Sequence, residues 1–166
     1  SGHLHVQHCK CSEDNRGIWE MVTASLATPS CKYAILTYRD DRSFLYRTQS
    51  LDVEAWAKKN QCTEEDLLNF KQFQTPFLRR VFYNQAIASL NEVPELTDSE
   101  REQMAQLYSL LKFHYYQGTA YQVQEPVRND PAYELWQEDG MATQQGEYFR
   151  YILEDGKRDY NRLEVN

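Results

Sequence analysis

Apolar positions along this chain follow two periods, first the alternation of strands and then the 3.6-residue spacing of helices. In residues 32–50 the runs "KYAILTY" and "SFLYRTQ" flank "RDDR". β-Branched, aromatic and aliphatic residues on either side of Asp40-Asp41 predict a β-hairpin, because paired acids suit a tight turn. Both runs carry apolar residues on both faces, so one face is expected to pack on helices and the other to be partly covered. Upstream, residues 18–26 fit either a strand or a short helix, and Thr28-Pro29-Ser30 then turns the chain.

Beyond Ser50 the pattern is helical. Ser50 opens a capping pattern with Glu54 one register late, so either Ser50 or Asp52 is expected to cap a helix reaching about Asn60. Thr63 followed by Glu64, Glu65 and Asp66 predicts a second start, with acids facing the positive helix end. Thr75-Pro76 predicts the end of that helix and the start of another, since proline fits the first helical position. Phe77, Leu78, Val81, Phe82, Ala86 and Leu90 form its apolar stripe. Thr97 and Glu100 make a capping box. The helix they open carries Met104, Leu107, Leu111, His114 and Tyr115, with Tyr108 alongside, and Gly118 stops it. "QVQEPVRNDP" reads as a linker. A short helix from Pro131 to about Asp139 follows, then a last one from about Thr143 to Asp155 with Phe149, Ile152 and Leu153 inward.

The fold class is therefore α+β and predominantly helical, an N-terminal β-hairpin with a possible third strand on a bundle of four to six helices. Residues 1–16 lack periodicity and are expected to be a flexible tail or a short edge strand. Residues 17–166 are expected to form one domain, with the hairpin at about 32–50 and the helical region at about 51–160. The chain has 166 residues, 41% hydrophobic and 26% charged, as globular proteins do. Six glycines and five prolines argue against a turn-rich β-sandwich. Four cysteines are too few for a disulfide scaffold, so thiols and a cytoplasmic setting are expected. No apolar run approaches the ~18 residues of a membrane helix, and no basic stretch followed by an apolar one opens the given sequence, so no secretory signal is expected within it, although one removed in processing would leave no trace.

Charge sharpens this picture. Net charge is −7, yet residues 1–90 are balanced with 11 basic and 10 acidic side chains, whereas residues 91–166 hold 7 and 15. A polyanion is repelled by that half, which makes nucleic acid a poor partner. Twelve tyrosines accompany the charge, many in the same acidic half. Aromatic anchors ringed by carboxylates suit association with a protein of basic surface. The sequence thus reads first as a non-catalytic protein-binding module, an adaptor, inhibitor or regulator. Its contact residues would be Tyr116, Tyr121, Tyr133, Trp136, Glu138, Asp139, Tyr148 and Tyr151. Competing with this is simple packing of the same rings between helices.

The alternative is an enzyme. His3, His5, His8, Cys9 and Cys11 crowd the opening segment and offer nitrogen and sulfur donors of the kind zinc takes. The Cys-x-Cys pair is tighter than the usual two-to-four-residue spacing, and Cys31 and Cys62 would have to complete the set singly. Cys31 with His114 could instead form a thiol–imidazole pair. Arg39, Arg42 and Arg47 on the hairpin are a weaker third candidate, for nucleic acid, although Asp40 and Asp41 offset them. No glycine-rich phosphate loop, His-Glu-x-x-His or Gly-x-Ser-x-Gly motif occurs, and no cofactor beyond zinc is suggested.

Overall fold

The structure, a computed structural model, describes residues 5–12, 17–28 and 30–165. The chain order is β1 (His8–Cys11), β2 (Trp19–Val22), β3 (Lys32–Tyr38), β4 (Phe44–Ser50), α1 (Val53–Lys59), α2 (Glu65–Leu68), α3 (Phe70–Leu90), α4 (Asp98–Gln117), α5 (Gln124–Arg128), α6 (Ala132–Leu135), α7 (Gln144–Glu154) and β5 (Arg162–Val165). It is α+β and dominated by helix, with two small antiparallel sheets. Two compact units emerge from the contacts. One comprises Ser1–Pro76, Tyr116–Gly118 and Asp159–Asn166, the other Phe77–Tyr115 and Thr119–Arg158.

In the first unit the predicted hairpin forms in the register Tyr38↔Phe44 to Lys32↔Ser50. Its turn closes with Arg42 N–H donating to Arg39 O at 3.0 Å and Ser43 N–H donating to the Asp41 carboxylate at 2.9 Å. The third strand comes from the far end of the chain: β5 pairs with β4, Tyr46 opposite Leu163. Alternation places Phe44, Tyr46, Leu163 and Val165 on one face and Arg47, Arg162 and Glu164 on the other. Within residues 18–26, Trp19–Val22 form the strand β2, paired with β1. Of the opening residues, His8–Cys11 are the edge-strand alternative; residues 1–4 and 13–16 lie outside the described part. Cys9, Met21 and Trp19 pack on Phe44, Tyr46, Tyr160, Leu163 and Val165, so the two sheets share one small core.

Gln7 ties this unit together. It is fully buried, and its Nε2 donates to the Tyr46 hydroxyl at 3.0 Å and to Tyr160 O at 2.8 Å. Its Oε1 accepts from Ala24 N–H at 3.2 Å. Gly118 lies against its side chain with φ +72, a conformation that other residues adopt at a cost.

Caps act largely as the sequence predicts. Asp52 accepts from Ala55 N–H, and Thr97 and Glu100 exchange hydrogen bonds at 2.8 and 3.3 Å. Three expectations are corrected. The second start is not capped by the Thr63 hydroxyl, because Glu64 occupies the cap position. The helix break falls at Asn69 rather than Thr75, and α3 runs unbroken through Pro76. Proline there removes one backbone hydrogen bond, but burial of Leu78, Phe82, Ala86 and Leu90 on one stripe outweighs a loss of about 3 kcal/mol. The supposed linker contains α5, whose Pro126 falls in the first turn where no donor is missed. It is held by Val127, fully buried, and by Gln124 Nε2 donating to Ile152 O at 2.9 Å.

The second unit is built on α4, α7 and the segment following α6. Residues Trp136–Gly140 continue α6 as a π-helical turn. Trp136 donates from Nε1 to Met104 O at 3.0 Å and stacks on Phe149 with centroids 4.9 Å apart. Gly140 is required beside it, because a Cβ there would collide with the indole.

Candidate functional site

Helix α7 sorts its side chains by sequence spacing alone. Phe149, Ile152 and Leu153 are buried together with Gly146. Glu147, Tyr148, Arg150, Tyr151 and Glu154 fall on the opposite side, and all are exposed. At 100° per residue Glu147, Tyr151 and Glu154 line up, with Tyr148 and Arg150 on either flank. Tyr151 is 51% exposed and meets Tyr115 edge-on at 6.2 Å. This face carries two phenol rings and two carboxylates against one guanidinium.

The other expected contact residues are distributed differently. Trp136 is 0% exposed and belongs to the core, so it leaves the docking set: an indole whose N–H already has a backbone acceptor has nothing left to offer a partner. Tyr133 is half-buried against Phe149. Tyr121 is half-buried and its hydroxyl accepts from Gln122. Glu138 is exposed and Asp139 half-buried. Tyr116 is half-buried and belongs to the first unit.

The N-terminal donors do not converge. Strand alternation sends Cys9 and Cys11 to one side of β1 and His8 to the other. Cys9 is buried, its thiol donating to Tyr160 O at 3.7 Å, while the His8 imidazole lies 4.3 Å from the Tyr160 ring. Among the described residues no group of three or more His, Cys, Asp or Glu is arranged to hold a metal. His5 is among them; His3 lies outside. The Cys31 thiol donates to Thr28 O at 3.3 Å, and burial pushes its pKa up, away from the thiolate. His114 belongs to the other unit. Its Nδ1 pairs with the Thr119 hydroxyl at 3.0 Å, and burial together with the Arg79 charge holds its pKa below the usual value. Of the hairpin arginines, Arg39 is engaged with Glu164 at 2.7 Å.

One group escapes sequence reasoning. Lys112 on α4 is only 5% exposed. Its ammonium donates to the Tyr108 hydroxyl at 2.6 Å, to Gln85 Oε1 at 3.1 Å and to Gln145 Oε1 at 3.4 Å. The rings of Tyr148, Tyr108 and Phe82 surround it with centroids 4.7, 5.0 and 5.4 Å away. Among the described residues no carboxylate pairs with it. Burial lowers its pKa to about 8. Its position, one residue after Leu111 and four after Tyr108 on the inward stripe, is the only signal the sequence holds.

The model of one known family, described as the C-terminal domain of cyclic nucleotide phosphodiesterase, matches residues 52–159. That is about two thirds of the chain, and it spans α1 to α7 while leaving out β1 to β5, the strands among the described residues. The chain belongs to this family. No curated protein matches it.

Proposed function

We propose that the chain is a non-catalytic protein-docking domain that uses the outer face of α7 against a basic segment of another protein. The observation that carries this reading is the placement of Tyr148 and Tyr151, 38% and 51% exposed, on the face that also carries Glu147 and Glu154. A phenol ring gives large contact area at little entropic cost, and neighbouring carboxylates steer a cationic partner and repel an acidic one. Arg150 at the edge of the face gives such a partner a register.

Selection of displayed peptides on the folded chain tests this. Enriched peptides should combine Lys or Arg with an apolar anchor. A selected peptide should lose at least tenfold in affinity on Tyr151→Ala and on the double change Glu147→Lys, Glu154→Lys. Equal affinity in both variants would sink the reading.

The family match supports a second reading, participation in the hydrolysis of a cyclic nucleotide, the activity in the family's name. Turnover of a cyclic nucleotide by the purified chain would put that reading first.

A further inference from the structure

In the first unit the sheet runs β3-β4-β5, so β3 has a neighbour on one side only. Arg39 N–H donates to Ser43 O at 2.9 Å, and Leu51 N–H donates to Cys31 O at 3.0 Å. The odd-numbered residues of β3 therefore turn their backbone groups toward β4. Lys32, Ala34, Leu36 and Tyr38 turn theirs to the open side, where no backbone group of the described residues meets them.

The side chains of these four residues share the sheet face of their register partners Ser50, Thr48, Tyr46 and Phe44. Trp19 and Met21 of β2 pack on that face around Tyr46 and Phe44. Its continuation on β3 is bare, with Leu36 59% and Tyr38 69% exposed. Edge strands are commonly blunted by a mid-strand charge, a proline or a bulge. Between Lys32 and Tyr38 there is no charge and no proline, and the pairing with β4 is unbroken. Lys32 does not guard the edge either, because its ammonium is held 2.6 Å from both Gln117 O and Asn161 Oδ1.

One occupant matches this edge in length, hydrogen-bond phase and side-chain size: a second β3. In an antiparallel pair about a two-fold axis at Ile35, Ala34 meets Leu36 and Lys32 meets Tyr38. All four outward residues then pair at once, whereas a slip either way carries Lys32 or Tyr38 past the end of the partner strand. The small Ala34 opposite Leu36 leaves room for the two Leu36 side chains, diagonal neighbours across the axis, to pack together. No like charges fall opposite one another, since Lys32 faces Tyr38 and Arg39 faces Cys31. We propose that this chain forms a two-fold homodimer in which β3 of each copy extends the other's sheet through Lys32, Ala34, Leu36 and Tyr38. The contact is narrow, so the dimer is weak, with a Kd on the order of 100 μM. The proposal is independent of docking on α7, and its failure would leave that reading untouched.

The test is sedimentation equilibrium of the whole chain from about 10 μM to about 1 mM, over which the mean mass should climb from one chain toward two. Leu36→Lys, at an exposed position, sets like charges across the axis and should weaken association at least tenfold. Ile35→Cys puts two thiols directly opposite at the axis, where Cα atoms lie about 4.5 Å apart, within disulfide range. Under mild oxidation it should cross-link well above the parent chain, whose own cysteines give the background. Thr37→Cys, which faces Tyr33 in this register, should stay at that background. A chain still monomeric at about 1 mM would leave the edge to a strand of another protein and overturn the proposal. A dimer equally tight in Leu36→Lys, or equal cross-linking in the two cysteine variants, would overturn it too, because the contact would then lie elsewhere.

Discussion

Tyr148 sets its ring 4.7 Å from the Lys112 ammonium while 38% of the residue remains exposed. One side chain thus serves as both the lid of a buried cation and part of the α7 outer face. A ring held this way favours the charged amine through its quadrupole and keeps water from it. Whatever occupies the α7 face is therefore coupled to Lys112 through a single phenol.

Removing that ring separates the two roles. Tyr148→Ala should destabilise the chain by about 0.5–2 kcal/mol and raise the Lys112 pKa from about 8 toward its ordinary value, because hydration returns to the ammonium. Tyr148→Phe, which retains the ring, should do neither. Chemical denaturation and the Lys112 side-chain NMR shift measured against pH distinguish the two variants.

Alkaline pH should stabilise the fold over a defined window. Burial lowers the pKa of both Lys112 and Lys32 from 10.5 to about 8, so between those values the unfolded chain binds protons that the folded chain does not. Stability then rises with pH from about 8 to 10.5, by up to about 3 kcal/mol for each lysine. Lys32 is held at Gln117 O and Asn161 Oδ1, both at 2.6 Å, and the charge of Asp159 opposes its shift. Cys31 acts in the opposite sense above its ordinary value of 9.0, since burial raises its folded pKa. Urea unfolding between pH 7.5 and 10 should show the rise, and Lys112→Met should remove its share. An unchanged slope in that variant would place the effect elsewhere.

Gly146, in the first turn of α7, admits no larger residue. A Cβ there would strike Gly140 O and approach Met141 Cα at 2.6 Å, both of them backbone atoms that cannot swing aside. Gly146→Ala should cost about 1–3 kcal/mol despite alanine's better helix propensity. A thermal unfolding temperature equal to or above that of the parent chain would contradict this account.

Replacing Gln7 by Leu should destabilise the first unit more than its loss of volume suggests. Ala24 N–H would lose its buried partner, at about 1–3 kcal/mol, and Tyr160 O would keep only the weaker thiol donor of Cys9. The measurement is amide hydrogen exchange, with Ala24 and the strands β1 and β2 expected to lose protection before α4 does.

Helices and their caps were legible because the rules that make them act within one or two turns. The Thr97–Glu100 box, the stop at Gly118 and the inward set Phe149, Ile152 and Leu153 all follow from spacings of at most four residues. The hairpin was legible for the same reason, its turn and both flanks lying within 19 residues. Pro76 marks the edge of such reasoning: proline has a known local cost, but only the apolar stripe beyond it decides that the helix continues. The reading of 122–131 as a linker failed in the same way, since the partners of Gln124 lie on α7 and at its C-cap.

Composition and order along the chain were enough for the fold class, the acidic second half and the amphipathic division of α7, because each depends on residue type and local period. Folding alone decided that Arg162–Val165 complete the sheet of β3 and β4 and that Trp136 is core and not surface. It also decided that Lys112 sits among Phe82, Tyr108 and Tyr148, three rings from three helices. Those outcomes join residues tens to more than a hundred positions apart, and no local preference encodes which of the many chemically similar partners the chain brings together.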